Sequence, residues 1–161
     1  MGFRDKLVKL SKINQHRADQ LEAVRRTWVQ EVNALYKAIT EDWFDEYMKD
    51  GYVTVEHREL QYAESEDIFL GTYMMVLNFG GGVSAVLEPI GTNVIGAFGK
   101  IELYLRGHKD KYISLLLIRE EGIGGFHWEV WKNRKQRDQI LFDRKTFEEI
   151  LDEWLERLAK V

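Results

Sequence analysis

The 161-residue sequence contains no cysteine, one proline and four histidines. The absence of cysteine excludes disulfides, thiolate nucleophiles and cysteine-ligated zinc sites. His16, His57, His108 and His127 lie in separate segments and lack the spacing of metal ligands. We therefore expect no metal site and no cofactor. No combination of a nucleophile or carboxylate with histidine can be recognised either, so we predict no catalytic residue.

Long apolar runs are missing as well. Apolar runs are short, about four residues at 115–118, whereas a membrane-spanning helix needs about 20. The first ten residues, MGFRDKLVKL, carry charges at short intervals and contain no apolar core of a secretory signal. Because 45 % of the residues are hydrophobic and 12 % are aromatic, the chain can still build a core. These features lead us to expect a folded cytoplasmic protein.

The N-terminal third predicts one long helix. Residues 3–50 contain neither proline nor glycine, and Gly51 then ends the helical pattern. A helix of that length would extend about 70 Å, whereas the remaining chain would form a globule of roughly 35 Å diameter. The helix must therefore break or extend past the globule to a partner. If it breaks, we expect the break at residues 14–20, where the apolar pattern lapses.

An apolar stripe along this helix predicts both a sheet contact and an oligomer interface. Its members are spaced by 3, 4, 4, 3, 4 and 4 residues, an eleven-residue repeat that favours a straight helix over a left-handed coiled coil. They are Leu21, Val24, Trp28, Val32, Leu35, Ile39 and Trp43. We expect homo-oligomerisation, most simply a homodimer, through these residues.

Charge is distributed unevenly along the same helix. Residues 1–26 have a net charge of +4, and residues 27–50 have a net charge of −4. This order opposes the helix dipole, which favours acidic residues first. An antiparallel pairing of two copies would place each basic end beside an acidic end.

Beyond Gly51, alternating and apolar segments separated by turn signals predict seven strands. The segments are 52–58, 68–79, 83–87, 97–106, 112–119, 126–131 and 139–142. Gly80-Gly81-Gly82 and the glycines of residues 122–125 mark tight turns, and Pro89 is expected to follow the end of the third strand. Short connections leave no room for crossover helices, so the sheet should be an antiparallel meander.

The second and fifth segments are apolar on both faces, which predicts a cover on each face. One cover should be a C-terminal helix over residues 146–160, which begins at a capping box formed by Thr146 and Glu149. Its spacing predicts burial of six side chains: Phe147, Ile150, Leu151, Trp154, Leu155 and Leu158. The other cover should be the N-terminal helix, either the chain's own or that of a second subunit.

The fold class is therefore α+β, with residues 1–50 forming a long helix and residues 51–161 a sheet domain with the C-terminal helix. The sheet is either open or a partial barrel. Seven meandering strands followed by one amphipathic helix resemble the outline of a pleckstrin-homology-like barrel. This resemblance concerns architecture and implies no function.

Two features outside the core are candidates for binding. A basic hairpin and the following turn could contact an anion or an acidic partner through Lys132, Arg134, Lys135, Arg137 and Arg144. If the sheet curls into a barrel, one face of an aromatic group near the sixth strand could line a small ligand pocket. The residues of this group are His127, Trp128 and Trp131. Alternation along a strand predicts that His127 and Trp131 share one face and Trp128 the other.

These observations favour a non-enzymatic interaction or assembly module that homo-oligomerises through the N-terminal helix and could also bind another protein. The net charge of −4 disfavours nucleic acid as a partner. One alternative is a β-barrel domain that binds a small ligand or a lipid headgroup. A further alternative is an enzyme of unrecognised type.

Overall fold

A long helix, α1 (Phe3–Ala38), opens the fold. The structure is a computed structural model that describes residues 2–59, 72–92, 94–122, 124–131 and 140–159. α1 is continuous through residues 14–20, so the helix does not break where the sequence placed its weak point. It departs from α geometry at Ile39–Trp43, a π-helical turn in which the Phe44 N–H donates to the Ile39 carbonyl at 2.9 Å. The short helix α2 (Asp45–Lys49) follows.

Gly51 ends the helical region as its sequence position predicts. Its φ of 82° lies in the left-handed region, which glycine adopts without steric cost. The Tyr52 N–H donates to the Tyr47 carbonyl at 2.9 Å, and the Gly51 N–H donates to the Met48 carbonyl at 3.1 Å. This pair of hydrogen bonds is the Schellman motif, which satisfies the last carbonyls of α2.

The predicted meander of seven strands is confirmed. The strands form one antiparallel open sheet in which each strand pairs with the next along the chain. They are β1 (Val53–Glu59), β2 (Tyr73–Phe79), β3 (Ser84–Gly91), β4 (Gly99–Leu105), β5 (Ile113–Arg119), β6 (Phe126–Trp131) and β7 (Ile140–Leu141). The part of the second predicted segment before residue 72 lies outside the described residues.

Pro89 does not follow the end of β3, as the sequence suggested, but lies within it. It pairs with Ile101 of β4, whereas the paired register with β2 ends at Leu87. At residue 89 the strand therefore has a partner on one side in the described register, a position where a missing N–H is tolerated. The register shifts between Pro89 and Gly91.

Both helices that were expected to cover opposite faces of the sheet contribute to the same hydrophobic cluster. This main core combines α1, α2 and the C-terminal helix α3 (Arg144–Ala159) with one face of the sheet. The other face has its own smaller cluster of Val76, Val86 and Tyr104, which contains no helix residue. The expectation that the chain's own two helices cover opposite faces was wrong, because apolar alternation shows that a face is buried but not which element covers it. A cover from a second subunit stays a prediction.

α3 begins two residues earlier than its predicted capping box. Asp143 caps it instead: the Thr146 N–H donates to Asp143 Oδ1 at 2.9 Å. Phe147, Ile150 and Leu151 are buried as expected. Leu155, predicted to be buried, is 38 % exposed because it lies at the flank of the helix stripe.

Candidate functional site

The apolar stripe of α1 divides into a buried part and an exposed part. Its central members are buried in the chain's own core: Trp28, Val32, Leu35 and Ile39. Trp43 is partly buried and packs edge-on against Phe142 at 5.6 Å between ring centroids. Val24 is half-buried and Leu21 is exposed. The core of one chain thus already occupies the centre of the predicted oligomer interface.

The first half of α1 has no such contacts. Every described residue from 2 to 23 is exposed. We call residues 3–21 the projecting segment; at 1.5 Å per residue it is about 28 Å long. It presents six large apolar side chains: Phe3 (76 % exposed), Leu7 (47 %), Val8 (47 %), Leu10 (55 %), Ile13 (48 %) and Leu21 (65 %). Because so many apolar side chains are exposed on one helix, the projecting segment is a candidate interaction surface.

The apolar side chains of the projecting segment are not spread evenly around it. Phe3, Leu7 and Leu10 follow an i, i+4, i+7 pattern and lie on one side of the helix, whereas Val8 lies well away from that side. The segment is also basic. It contains five basic residues (Arg4, Lys6, Lys9, Lys12, Arg17) and two acidic ones (Asp5, Asp19). A basic helix with three apolar anchors is suited to an acidic, apolar surface.

A groove of about 630 Å³ lies at the opposite end of the long helix, between α2, α3 and the β2–β3 turn. Its apolar walls include Tyr47, Tyr52, Phe79 and Leu155. Tyr52 is 70 % exposed, so one wall faces solvent. The floor is rigid, because Phe44 stacks on Phe147 in the main core at 5.1 Å between ring centroids.

The rim of this groove is acidic. Glu148, Glu149 and Asp152 line it from α3. Glu148 is already engaged, since the Tyr47 hydroxyl donates to its Oε1 at 2.8 Å and Arg144 Nε donates to the same oxygen at 3.3 Å. Glu149 and Asp152 are exposed. We call this site the acidic groove.

Arg144 is the one residue of the predicted anion-binding set that lies among the described residues. It is the first residue of α3, and hydrogen bonds to Tyr47 and Glu148 raise its pKa. Arg144 thus supports the wall of the acidic groove. Lys132, Arg134, Lys135 and Arg137 lie outside the described residues, so their role stays a prediction.

The predicted aromatic pocket residues are on opposite faces of β6, as alternation indicated. Trp128 is buried in the main core, with its ring centroid 5.9 Å from that of Trp28. His127 is on the other face, with Nδ1 3.4 Å from Glu120 and Nε2 3.3 Å from Glu129. Trp131 lies on the same face as His127 in the β5–β6 register. Only one of the two faces could therefore contribute to a pocket, and that pocket stays a prediction.

The second face of the sheet also contains paired charges. The buried Glu88 carboxylate accepts a hydrogen bond from the Tyr104 hydroxyl at 2.7 Å and from Lys109 Nζ at 3.1 and 3.2 Å. Lys100 Nζ lies 3.7 Å from Glu102. Partners of this kind allow a carboxylate to remain buried in a sheet. The arrangement accounts for Glu88 as a structural residue.

A smaller cleft of about 240 Å³ lies beside Tyr36 and His57, whose rings stack with centroids 6.1 Å apart. Burial raises the pKa of the Tyr36 hydroxyl well above its usual range. That hydroxyl donates to the Tyr73 carbonyl at 2.6 Å, which anchors α1 to β2. Tyr36 therefore has a structural role, with its hydroxyl protonated as a hydrogen-bond donor.

Two further observations bear on the function classes. In the part of the chain that the structure describes, no group of three or more histidine, aspartate or glutamate side chains is arranged to hold a metal ion. None of the described helices combines the length and apolar character that crossing a membrane requires.

The acidic groove was not identified from the sequence. Its walls come from α2, from the start of β1, from the end of β2 and from α3, which are distant in the chain. The available signals were Tyr52, an aromatic residue next to the helix-ending glycine, and Leu155 at the flank of the α3 stripe. Both were assigned to the sheet or the core instead.

Comparison with known proteins identifies no relative of this chain. No protein-family model matches the chain, and neither a curated protein nor a solved structure shows significant similarity to it. The function must therefore be inferred from the geometry of the projecting segment and of the acidic groove.

Proposed function

We propose that this protein is a non-enzymatic assembly module that homo-oligomerises, as a dimer, through the projecting segment of α1. The observation that supports this function is the exposure of the whole segment in a single chain, together with its one-sided Phe3, Leu7 and Leu10. A helix of this kind does not contribute to the core of its own chain. Its apolar side is instead available to a partner.

The magnitudes favour a reversible dimer. Complete burial of a side chain that is about half exposed contributes on the order of 1 kcal/mol. Association costs about 4–15 kcal/mol in lost freedom of motion. Five such side chains from each copy (Phe3, Leu7, Leu10, Ile13 and Leu21) would together contribute about 10 kcal/mol, which is comparable with this cost. The population of the dimer should therefore depend on protein concentration.

The test is the molar mass of the protein in solution. Gel filtration with light scattering at about 50 µM protein should give a mass near twice the 19.0 kDa of one chain. Leu7→Glu places a charge in the apolar side and should reduce the mass to that of a monomer.

Val8→Glu is the matched control. Val8 has the same exposed fraction as Leu7, 47 %, but lies away from the anchors. This variant should remain a dimer. A wild-type protein that is strictly monomeric under these conditions, or a Leu7→Glu variant that dimerises as well as the wild type, would contradict the proposed function.

A further inference from the structure

We infer that the acidic groove of one copy binds the projecting segment of a second copy, so that two copies pair with their long helices antiparallel. This inference rests on the proposed function and adds the site that receives the helix. Each copy would supply one basic helix end and one acidic groove.

The geometry of α1 requires the occupant to come from another molecule. α1 spans 36 residues, which places Phe3 about 54 Å from Ala38 along the helix axis. The acidic groove is built from Phe44 and Tyr47, which follow the far end of that helix, and from α3. A continuous helix cannot return its first turns to its own far end. The projecting segment can therefore fill this groove only in a second copy.

The apolar surfaces match in size and type. Phe3, Leu7 and Leu10 extend over about 10 Å of helix, or two turns. The acidic groove is open to solvent, has a volume of about 630 Å³ and is walled by Tyr47, Tyr52, Phe79 and Leu155. Binding an amphipathic helix through i, i+4, i+7 anchors requires an open apolar trough of this kind.

The charges favour binding of the projecting segment to the groove over direct pairing of the two projecting segments. Each segment has five basic and two acidic residues, so placing two segments side by side brings like charges together. The rim of the groove instead offers the exposed Glu149 and Asp152. Arg4 and Lys6 flank the anchors on opposite sides of the helix and would face this rim. Complementary charges fix the register of such a contact.

The pairing is closed and symmetric. When the projecting segment of one copy lies in the acidic groove of the second copy, a two-fold axis places the projecting segment of the second copy in the acidic groove of the first. Both sites are then filled and no surface remains for chain growth. The opposite charges of the two halves of the N-terminal region are arranged as an antiparallel pair requires.

The first test uses variants of α3 in the full chain. Asp152→Lys reverses a charge on the rim of the groove, whereas Glu153→Lys makes the same change at the next residue, which does not line it. Glu153 pairs with Arg157 on the exposed side of α3, so its loss costs little stability. We expect Asp152→Lys to weaken dimerisation at least about tenfold and Glu153→Lys by less than about threefold.

The second test isolates the site. A fluorescein-labelled peptide of residues 2–22 is titrated into the full-length Leu7→Glu variant, whose groove remains free. Fluorescence anisotropy should show saturable binding that weakens when the salt concentration rises from about 0.05 M to about 0.5 M NaCl, because salt screens the rim charges. Adding Asp152→Lys to the same chain should weaken peptide binding at least about tenfold, and adding Glu153→Lys should not.

The outcomes separate this inference from the proposed function. If Leu7→Glu abolishes the dimer while Asp152→Lys leaves both dimer and peptide binding unchanged, the segment binds elsewhere, and only the groove assignment is overturned. If the wild type is monomeric and instead co-sediments with phosphatidylserine–phosphatidylcholine vesicles in a Leu7-dependent way, both proposals are overturned and the segment is a membrane-surface helix.

Discussion

The side chain of Trp28 in α1 lies close to Gly99, the first residue of β4. A Cβ atom at this position would lie 2.5 Å from Cε3 of Trp28. Trp28 is fully buried and its ring also packs against Trp128. The indole ring therefore cannot move away from an added Cβ atom without displacing its neighbours. The glycine is therefore required by the approach of a large side chain and not by its own backbone angles.

Gly99→Ala should consequently destabilise the protein. Overpacking of a filled core costs about 1–3 kcal/mol, and the rigid ring places this substitution at the upper end. Gly80→Ala is the control, since a Cβ there meets nothing within 4 Å. Urea unfolding followed by tryptophan fluorescence measures both variants. Equal midpoints for the two would contradict the packing argument.

Asp143 is the second residue whose role is local and testable. Its carboxylate accepts the Thr146 N–H, and this hydrogen bond is the main reason that the pKa of Asp143 lies below its ordinary value of 3.8. A carboxyl whose pKa is lowered on folding stabilises the protein above its unfolded pKa. That contribution is lost as the pH falls below about 4 and the group takes up a proton.

Two substitutions at this position separate the cap from the charge. Asp143→Ala removes the cap and should cost about 0.5–2 kcal/mol at neutral pH. Asp143→Asn keeps an acceptor oxygen and should cost less, but it should lose the part of the acid sensitivity below about pH 4 that this carboxyl supplies. Thermal unfolding across that range is the measurement. An identical acid dependence in the wild type and in Asp143→Asn would refute the assignment.

At the scale of elements, the two halves of α1 have different surroundings. The second half supplies Trp28, Val32, Leu35 and Ile39 to the main core, whereas the first half is exposed on all sides. Tyr36 further fixes the second half by its hydrogen bond to the Tyr73 carbonyl. One continuous helix thus combines a buried core element with an exposed segment.

Two truncations should therefore behave differently. Removal of residues 1–20 takes away exposed side chains and should leave a folded protein. Removal of residues 1–40 deletes five buried side chains. At about 1.5–3 kcal/mol each, their sum is comparable with the whole stability of about 5–15 kcal/mol. Circular dichroism and urea unfolding distinguish the two. Unfolding of the shorter truncation would show that the projecting segment stabilises its own chain.

The elements were predicted to different degrees for physical reasons. β6 was located to the residue, because Gly124 and Gly125 precede an apolar segment that alternates along its length. The start of α3 was displaced by two residues, because Asp143 and Thr146 are both capping residues and sequence spacing favoured the wrong one. The position of Pro89 was also misjudged. Whether a strand has a partner on both sides depends on how far the neighbouring strand continues.

At the scale of the whole molecule, the two ends of the long helix differ in charge and in surroundings. The basic projecting segment is free of the sheet, and the acidic end lies beside α3 and the groove. An open sheet with both helices in the same core leaves this groove at the edge of the fold. The molecule therefore has a basic exposed helix end and a groove with an acidic rim, which are complementary in charge.

Periodicity and charge in the sequence were enough to determine the α+β class, the seven-stranded meander, the long helix and its two charge halves, because each follows from residues that are neighbours in the chain. Only the tertiary structure decided that both helices join one core, that Trp28 lies against Gly99, and that Tyr52 and Leu155 form an acidic groove with α2. These features depend on contacts between residues tens of positions apart. Such contacts are set by the packing of complete elements and not by any local pattern.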